Sequence, residues 1–492
     1  MKPIRRLAGQ TLIYGLSSIL GRLLNWLLVP LHVRIFAPEA YGVVTEMYAY
    51  VALFFVVLTY GMETAFFRYT RDEDPNKVYS TALVSLVASS VGFILLSFLF
   101  GRQVADMLGY SKHVEYIIWF AIIIALDAIT AIPFARLRQE NRGLRFATLK
   151  ILWIGINVIL NVLFLLVFPW ILKNQAGTFW ASLVSLVYNP EIGVGYIFIA
   201  NLIASVATLL MVLPMMLDIK WEFDKKLWNH MFRYAWPLLI MGLAGTLNES
   251  FDRILLKHLL PDKSTAMAQL GIYGACYKIP VLMTLFVQTF RFAAEPFFFT
   301  ESKDEKAQLT YARVMTFFTI VCALIFLGTM VYIDGIRHFV SENYYSGLKV
   351  VPILLLANFF LGVFYNLSVW YKLTNQTLFG AYIALGGAAF SLILNFVAIP
   401  YLGFMGAAWV RFLTYFLMMA ISWYYGQKYY PIPYNLRKFF AYMGYAVILY
   451  IIHAWIPFPN EFMKLAAGTL IIVLFMLPVM RLEKLHLLLK RH

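Results

Sequence analysis

Apolar segments of about 20 residues recur along the whole chain, and they limit its fold more than any other feature. About 14 of them are long enough to cross the hydrocarbon core of a bilayer as helices. The fold class that this predicts is an all-α polytopic membrane protein. The predicted spans cover residues 10–34, 43–67, 80–100, 115–134, 147–169, 194–217, 235–256, 271–293, 312–333, 350–370, 378–400, 403–425, 439–457 and 462–480.

Composition and charge agree with a membrane location. The 492 residues are 62% apolar and 13% charged, whereas soluble chains are roughly 45–50% apolar and about 25% charged. The net charge of +15 does not indicate nucleic-acid binding, because the basic residues fall mainly in alternate loops. This positive-inside pattern predicts a multi-pass protein with both termini in the cytoplasm. One such loop carries a basic cluster that consists of Arg136, Arg138, Arg142, Arg145 and Lys150. These residues either determine the topology and contact anionic lipids, or they load an anionic substrate.

The chain contains an internal repeat with an offset of about 232 residues. Glu63 matches Glu295, each followed by an aromatic pair, and Asn141 matches Asn375. The repeat predicts two six-helix lobes of one topology, related by an axis along the membrane normal and facing each other across a cleft. The predicted boundaries are an N-lobe over 1–217, a C-lobe over 218–425, and two extra helices with a cytoplasmic tail over 426–492.

Ionisable groups inside the predicted spans are few and cluster in spans one, two, seven and eight. Such groups are costly in a bilayer and therefore indicate function. Fixed cations that face one cavity suit an anionic head group such as pyrophosphate, because one arginine can bind two phosphate oxygens in a bidentate contact. The predicted substrate-binding cavity consists of Arg22, Asn25, Arg253, Lys278 and Arg291.

The acidic residues of these spans have a different predicted role. Glu249 and Asp252 are ligands of the type that Na⁺ or a transferable proton requires, and we expect them to hold a coupling ion. Glu63 and Glu295 are expected near the cytoplasmic mouth, as gate residues or ion-pair partners. The alternative for all of them is simple pairing, of Glu249 with Arg253 or of Glu63 with Arg22. The sequence contains no catalytic motif, so no enzyme activity, metal centre or cofactor is predicted.

The chain resembles a known family over nearly its whole length. The residues that carry the resemblance are Gly9-Gln-Thr-Leu-Ile-Tyr14, Leu20-Gly-Arg-Leu-Leu-Asn25, and the Pro38-Glu-Ala-Tyr-Gly42 turn. They are similar to the start of bacterial polysaccharide transporters, the flippases of O-antigen and exopolysaccharide precursors. These are relatives of the MATE exporters and of the lipid II flippase within the MOP superfamily.

The resemblance implies alternating access by a two-lobed bundle in the inner membrane. It implies a polyprenyl-pyrophosphate-linked oligosaccharide as cargo for lipopolysaccharide or other surface polysaccharide. Expected partners are therefore membrane lipids, this lipid-linked cargo and the polysaccharide polymerase machinery. Glu63, Glu249 and Asp252 depart from a purely cationic cavity. A cation-coupled, MATE-like exporter of small organic compounds shares this fold and remains the alternative. An integral-membrane glycan polymerase or ligase would need a larger extramembrane loop than the chain offers.

Overall fold

The computed structural model describes Leu23, residues 26–301 and residues 306–483, apart from the side chains of 292, 293, 295, 296 and 299–301. This part of the chain consists of helices joined by short loops. Up to the middle of the chain the helices are α1 (Val29–Ile35), α2 (Pro38–Thr59), α3 (Met62–Tyr69), α4 (Pro75–Met107), α5 (Val114–Gln139), α6 (Gly143–Val162), α7 (Phe168–Asn174), α8 (Phe179–Val187), α9 (Gly195–Leu217) and α10 (Lys225–Leu259).

The remaining helices continue the same architecture. They are α11 (Lys263–Cys276), α12 (Val281–Glu301), α13 (Ala307–Val331), α14 (Ile333–Ile336), α15 (Val351–Leu367), α16 (Val369–Leu373), α17 (Thr377–Tyr429), α18 (Leu436–Trp455) and α19 (Glu461–Leu482). A π-helical turn, Leu163–Val167, joins α6 to α7. Short 3₁₀ turns cover Pro190–Ile192, Arg337–Phe339 and Glu342–Val350.

The helices are long and apolar enough to cross a membrane, which confirms the predicted fold class. Within the described residues, 10 segments pass a length and hydropathy test, or 11 if the bent pair α11 and α12 forms one span. The 53-residue α17 contains two predicted spans, because Gly403 has φ 58° and ψ −139° and breaks the helix. The 35-residue α10 contains the whole of the charged seventh predicted span, residues 235–256. Most of the first predicted span lies outside the described residues.

The predicted duplication is visible in the backbone. Asn141 and Asn375 both have left-handed φ angles, 59° and 58°, which asparagine tolerates better than most residues. Each lies in the turn between two helices. The next N–H closes the preceding helix in the same way: Arg142 N–H donates to the Leu137 carbonyl at 2.8 Å, and Gln376 N–H to the Tyr371 carbonyl at 2.7 Å. The two halves therefore share one helical hairpin at this position.

Buried amides also recur in the two halves. The Asn161 amide donates to the Asn157 carbonyl at 2.8 Å, and the Asn395 amide donates to the Ser391 carbonyl at 2.8 Å. Asn161 Oδ1 also lies 2.8 Å from Nε2 of buried His32 on α1. The pair joins α6 to α1 inside the apolar core, where polar side chains commonly connect membrane helices.

The chain divides into two compact units, residues 1–254 and 255–492. The division falls within α10, so that most of this helix belongs to the first unit and Leu255–Leu259 belongs to the second. The lobe boundaries at 217/218 and 425/426 come from the repeat, and they remain a prediction.

Two predicted spans are interrupted. Span two breaks between α2 and α3, where Tyr60 and Gly61 adopt left-handed φ angles of 32° and 73°. Span eight bends by 51° between α11 and α12. Interrupted membrane helices are common in transporters, because unwound turns place polar backbone groups beside a cavity.

A polar clamp fastens the segment before α10 to the start of α4. Ser80 Oγ donates to the Lys220 carbonyl at 2.8 Å and accepts from Glu222 N–H at 2.8 Å. Lys77 Nζ lies 2.6 Å from Asp224 Oδ2. The Lys77 hydrogen bond, followed by backbone N–H donors, lowers the pKa of Asp224 to about 2.

The clamp should be sensitive to acid. A carboxylate whose pKa is lowered in the folded protein stabilises it above the ordinary value of 3.8, and the contribution is lost as pH falls toward about 2. We expect pepsin to cleave the segment before α10 more readily at pH 2 than at pH 4, because Asp224 becomes protonated and loses its ion pair with Lys77. Asp224→Asn should be cleaved readily at both pH values. Equal resistance of wild type and Asp224→Asn at pH 4 would show that the ion pair does not hold this segment.

Candidate functional site

The first unit contains an open polar cavity of about 280 Å³. Four helices contribute ionisable or hydroxyl side chains to it, and the Asn141 turn brings α5 and α6 together as antiparallel neighbours. The polar lining residues are Glu63 on α3, Asp127, Thr130 and Arg138 on α5, Lys150 on α6 and Thr208 on α9. Both signs of charge therefore face one space inside a single unit.

The charged groups of this first-unit cavity differ in the partners that they contact. Arg138 forms an ion pair with Glu63, and the two side chains are 32% and 40% exposed. Asp127 Oδ1 accepts a hydrogen bond from Ser205 Oγ at 2.9 Å. Lys150 Nζ lies 4.2 Å from the centre of the Phe134 ring. Among the described residues, no carboxylate lies within ion-pair distance of Lys150.

The second unit has a cationic cleft at the corresponding place. Its volume is about 20 Å³, close to the size of one water molecule, and Arg291 and Lys372 line it with Tyr365 and Asn366. The Arg291 guanidinium lies 4.6 Å from the centre of the Tyr365 ring. Lys372 precedes Asn375 by three residues, as Arg138 precedes Asn141. A basic residue is thus present at the same turn in both units.

A third polar group lies on α10. Asp252 is 5% exposed, and its Oδ1 accepts the Arg253 backbone N–H at 2.9 Å. Arg253 Nη2 donates to the Glu249 carbonyl at 2.9 Å and to Ser250 Oγ at 3.0 Å, and its Nε lies 3.9 Å from Asp252 Oδ1. Within the part of the chain that the structure describes, no cluster of three His, Cys, Asp or Glu side chains could hold a metal ion.

The predicted site residues are distributed over both units. Arg22 and Asn25 lie outside the described residues, as does the side chain of Glu295. Lys278 lies in the turn between α11 and α12 and does not line the cleft of Arg291. Arg253 belongs to the first unit, whereas Lys278 and Arg291 belong to the second. Their convergence on one cavity therefore remains a prediction, as do the coupling-ion role of Glu249 and Asp252 and the gate role of Glu63.

Sequence reasoning overlooked several polar residues. It placed Lys150 in a loop cluster, and it did not single out Lys372, although the repeat pairs Lys372 with Arg138. It also missed Glu46, which is fully buried in α2. Glu46 accepts a hydrogen bond from Tyr110 and another from Tyr50 at 3.3 Å. Burial, followed by the charge of Glu46, raises the pKa of the Tyr110 phenol, which keeps it a hydrogen-bond donor.

Comparison with known proteins places this geometry in context. A family model described as polysaccharide biosynthesis protein matches residues 7–301. The structure is similar to the lipid II flippase MurJ in an inward closed conformation, with a TM-score of 0.73 and 13% identity over 96% of this chain and 99% of MurJ. A search of curated protein sequences found no match.

Two further solved structures share the fold. One is an inward-facing multidrug resistance MATE family transporter of the MOP superfamily, with a TM-score of 0.64 and 14% identity over 83% of this chain and 94% of that one. The other is a MOP superfamily transporter from Pyrococcus furiosus, with a TM-score of 0.54 and 13% identity over 85% of this chain and 95% of that one. At these identities the similarity establishes the fold.

Proposed function

The chain belongs to the polysaccharide biosynthesis protein family, and from this premise we propose that it is a flippase for lipid-linked oligosaccharide. The cargo is a polyprenyl-pyrophosphate-linked glycan that crosses the bacterial inner membrane by alternating access, and the product serves surface polysaccharide such as O-antigen. The shared fold is that of flippases and exporters, and it is not the fold of a catalytic enzyme.

The observation that carries the proposal is the cationic cleft of the second unit. Arg291 is exposed, and no described carboxylate forms an ion pair with it. Lys372 lines the same cleft, and Asn366 adds an amide. The cleft itself has room for one water molecule, so an oligosaccharide does not fit inside it. Its mouth presents two cations to the anionic part of a larger ligand, and a pyrophosphate matches this chemistry.

The proposal also specifies the path of the cargo, the orientation of the protein and the source of energy. The sugar head group is polar and needs a path through the protein, whereas the polyprenyl tail is apolar and stays in lipid. The protein orients with both termini in the cytoplasm, and an ion gradient of Na⁺ or H⁺ drives the cycle, with Glu249 and Asp252 as the coupling carboxylates. A polysaccharide polymerase then consumes the delivered product.

A second candidate is a cation-coupled exporter of small organic compounds. The fold similarity to the MATE transporter supports it, and so does Asp127, a carboxylate that faces the first-unit cavity. The cations Arg138 and Lys150 in that cavity disfavour a cationic drug. Deletion of the gene distinguishes the two, because an exporter predicts drug sensitivity with intact surface glycan and a flippase predicts loss of surface glycan.

The flippase proposal is tested by replacing Arg22, Arg253 and Arg291 singly with alanine and measuring delivery of surface polysaccharide. Loss of one charge-assisted contact to a phosphate should reduce the rate about tenfold or more. Arg313→Ala on α13, which is exposed and does not line the cleft, is the control. Full delivery by all three variants would contradict a pyrophosphate-binding cavity built from these arginines.

A further inference from the structure

The first-unit cavity contains a cation that no described protein acceptor binds. An ammonium group carries three donors, yet within the described residues no acceptor meets Lys150 Nζ. Its neighbours are the rings of Phe134, at 4.2 Å, and Trp153, at 5.9 Å. Aromatic faces attract the charge but accept no strong hydrogen bond. Lys150 therefore faces the cavity without a protein oxygen ligand among the described residues.

Arg138 also has donors that the present arrangement does not use. One terminal nitrogen donates to Glu63, while its Nε–H is buried and has no acceptor in the described part of the chain. A buried N–H without a partner costs free energy comparable to a lost hydrogen bond. Rotation of the guanidinium toward an anion would satisfy it. Both cations of the cavity thus have donors that no described acceptor binds.

Each acidic group of the cavity accepts one hydrogen bond from a described donor. Asp127 accepts the Ser205 hydroxyl, and Glu63 accepts Arg138. Because Glu63 and Arg138 are both about one-third exposed, their ion pair lies where the cavity meets its surroundings. An anion that approaches past this pair can replace Glu63 on Arg138.

We propose that the first-unit cavity is a binding site for a phosphate-type anion, held by Lys150 and Arg138 and guarded by Glu63. The volume of about 280 Å³ accommodates a phosphate or pyrophosphate group. The ligand is the head group of a membrane phospholipid or the pyrophosphate of the cargo, and both present the same oxygens. The assignment of the ligand as cargo rests on the proposed flippase function, whereas the assignment of an anion site does not.

The asymmetry of the repeat agrees with this assignment. Arg138 has a basic counterpart in Lys372, but the position that matches Lys150 is Ala384, which carries no charge. The charges that surround the turn in the first unit, Arg136, Arg142 and Arg145, are likewise replaced by Trp370, Gln376 and Phe379. The combination of Arg138 and Lys150 on one cavity is therefore a feature of the first unit.

The test is a calorimetric titration of inorganic pyrophosphate into the purified full chain in nanodiscs of phosphatidylcholine. Every variant is also titrated in a chain with Arg291→Gln and Lys372→Gln, so that binding by the second-unit cleft is not counted. Lys150→Gln should bind about tenfold more weakly, because one charge-assisted contact is lost. Lys150→Arg should bind like wild type. Glu63→Gln should bind several-fold more tightly, because Arg138 no longer has a competing carboxylate. Lys173→Gln on α7, outside the cavity, is the matched control and should not change the affinity.

The opposite directions for Lys150→Gln and Glu63→Gln separate binding from misfolding, which could only weaken it. No binding of pyrophosphate by wild type, or equal binding by Lys150→Gln and Lys173→Gln, would overturn the proposal. Repeating the titration in equal parts phosphatidylcholine and phosphatidylglycerol identifies the source. Competition by phosphatidylglycerol that requires Lys150 assigns the site to a lipid head group, and its absence assigns the site to the cargo. A failure of the flippase function itself would appear in surface delivery and not in this titration.

Discussion

Replacing Arg291 and Lys372 together with glutamine should reduce delivery of surface polysaccharide by about 100-fold or more, from the typical strength of two charge-assisted hydrogen bonds. The two cations line one cleft in the second unit, so a pyrophosphate bound there would lose both contacts. Glutamine keeps most of the length and polarity of each side chain. The protein should therefore remain folded and inserted, and the quantity to measure is surface polysaccharide per molecule of protein.

The conservative exchange is the control for this variant. Arg291→Lys combined with Lys372→Arg keeps both charges and should retain most of the delivery. Some loss is expected, because lysine cannot reproduce the flat contact between the Arg291 guanidinium and the Tyr365 ring at 4.6 Å. If the double glutamine variant delivers as much polysaccharide as the charge-preserving one, the cleft does not bind the cargo.

The second large effect is expected at Gly61, in the break between α2 and α3. Gly61 has φ 73°, and the left-handed region costs a residue with a Cβ about 1–2 kcal/mol. A Cβ at this position would also lie 3.0 Å from the Ala235 carbonyl oxygen and 3.2 Å from Leu238 Cβ. We therefore expect Gly61→Ala to lower the free energy of unfolding by about 2 kcal/mol or more.

Gly92 on α4 is the matched control for Gly61. A Cβ at Gly92 meets no atom within 4 Å, and alanine is about 0.5–1 kcal/mol better than glycine inside a helix. Gly92→Ala should therefore leave stability unchanged or raise it slightly. Reversible unfolding in detergent measures both variants. Equal stability of the two would show that the close packing of α10 against the α2–α3 break does not constrain the fold.

The sequence was sufficient for the architecture because its causes are local. Apolar length predicts a membrane helix from one segment alone, and the repeat predicts a second copy of the same helical hairpin. Asn141 and Asn375 show that the repeat predicts even the backbone conformation of a turn. The two asparagines, at matching positions, adopt the same left-handed conformation. No comparison with another protein is needed for either inference.

The partners of the charged residues could not be predicted in the same way. Glu63 pairs with Arg138 on another helix, and that contact depends on how the two helices rotate about their axes. A sequence fixes the spacing along one helix but not this rotation between helices. The sequence alone therefore groups Arg138 and Lys150 with loop residues that determine topology. The structure places both side chains on the wall of a cavity. Lys372 was within reach, because the repeat aligns it with Arg138.

The two units differ in charge more than in backbone. The first has carboxylates and cations in a cavity of about 280 Å³, and the second has Arg291 and Lys372 in a narrow cleft. Glu46, buried in α2, matches Lys278 at the repeat offset of about 232 residues. The two halves thus share a helical hairpin but carry different charged residues at matching positions.

Reconstitution tests most directly the proposal that this chain moves a pyrophosphate-linked glycolipid across a bilayer. The purified protein is placed in vesicles with a fluorescent polyprenyl-pyrophosphate oligosaccharide, and a membrane-impermeant quencher reports the fraction of probe in the outer leaflet. An ion gradient should change that fraction with the wild-type protein and not with the double Arg291→Gln, Lys372→Gln variant. Equal redistribution by wild type, the double variant and protein-free vesicles would contradict the account.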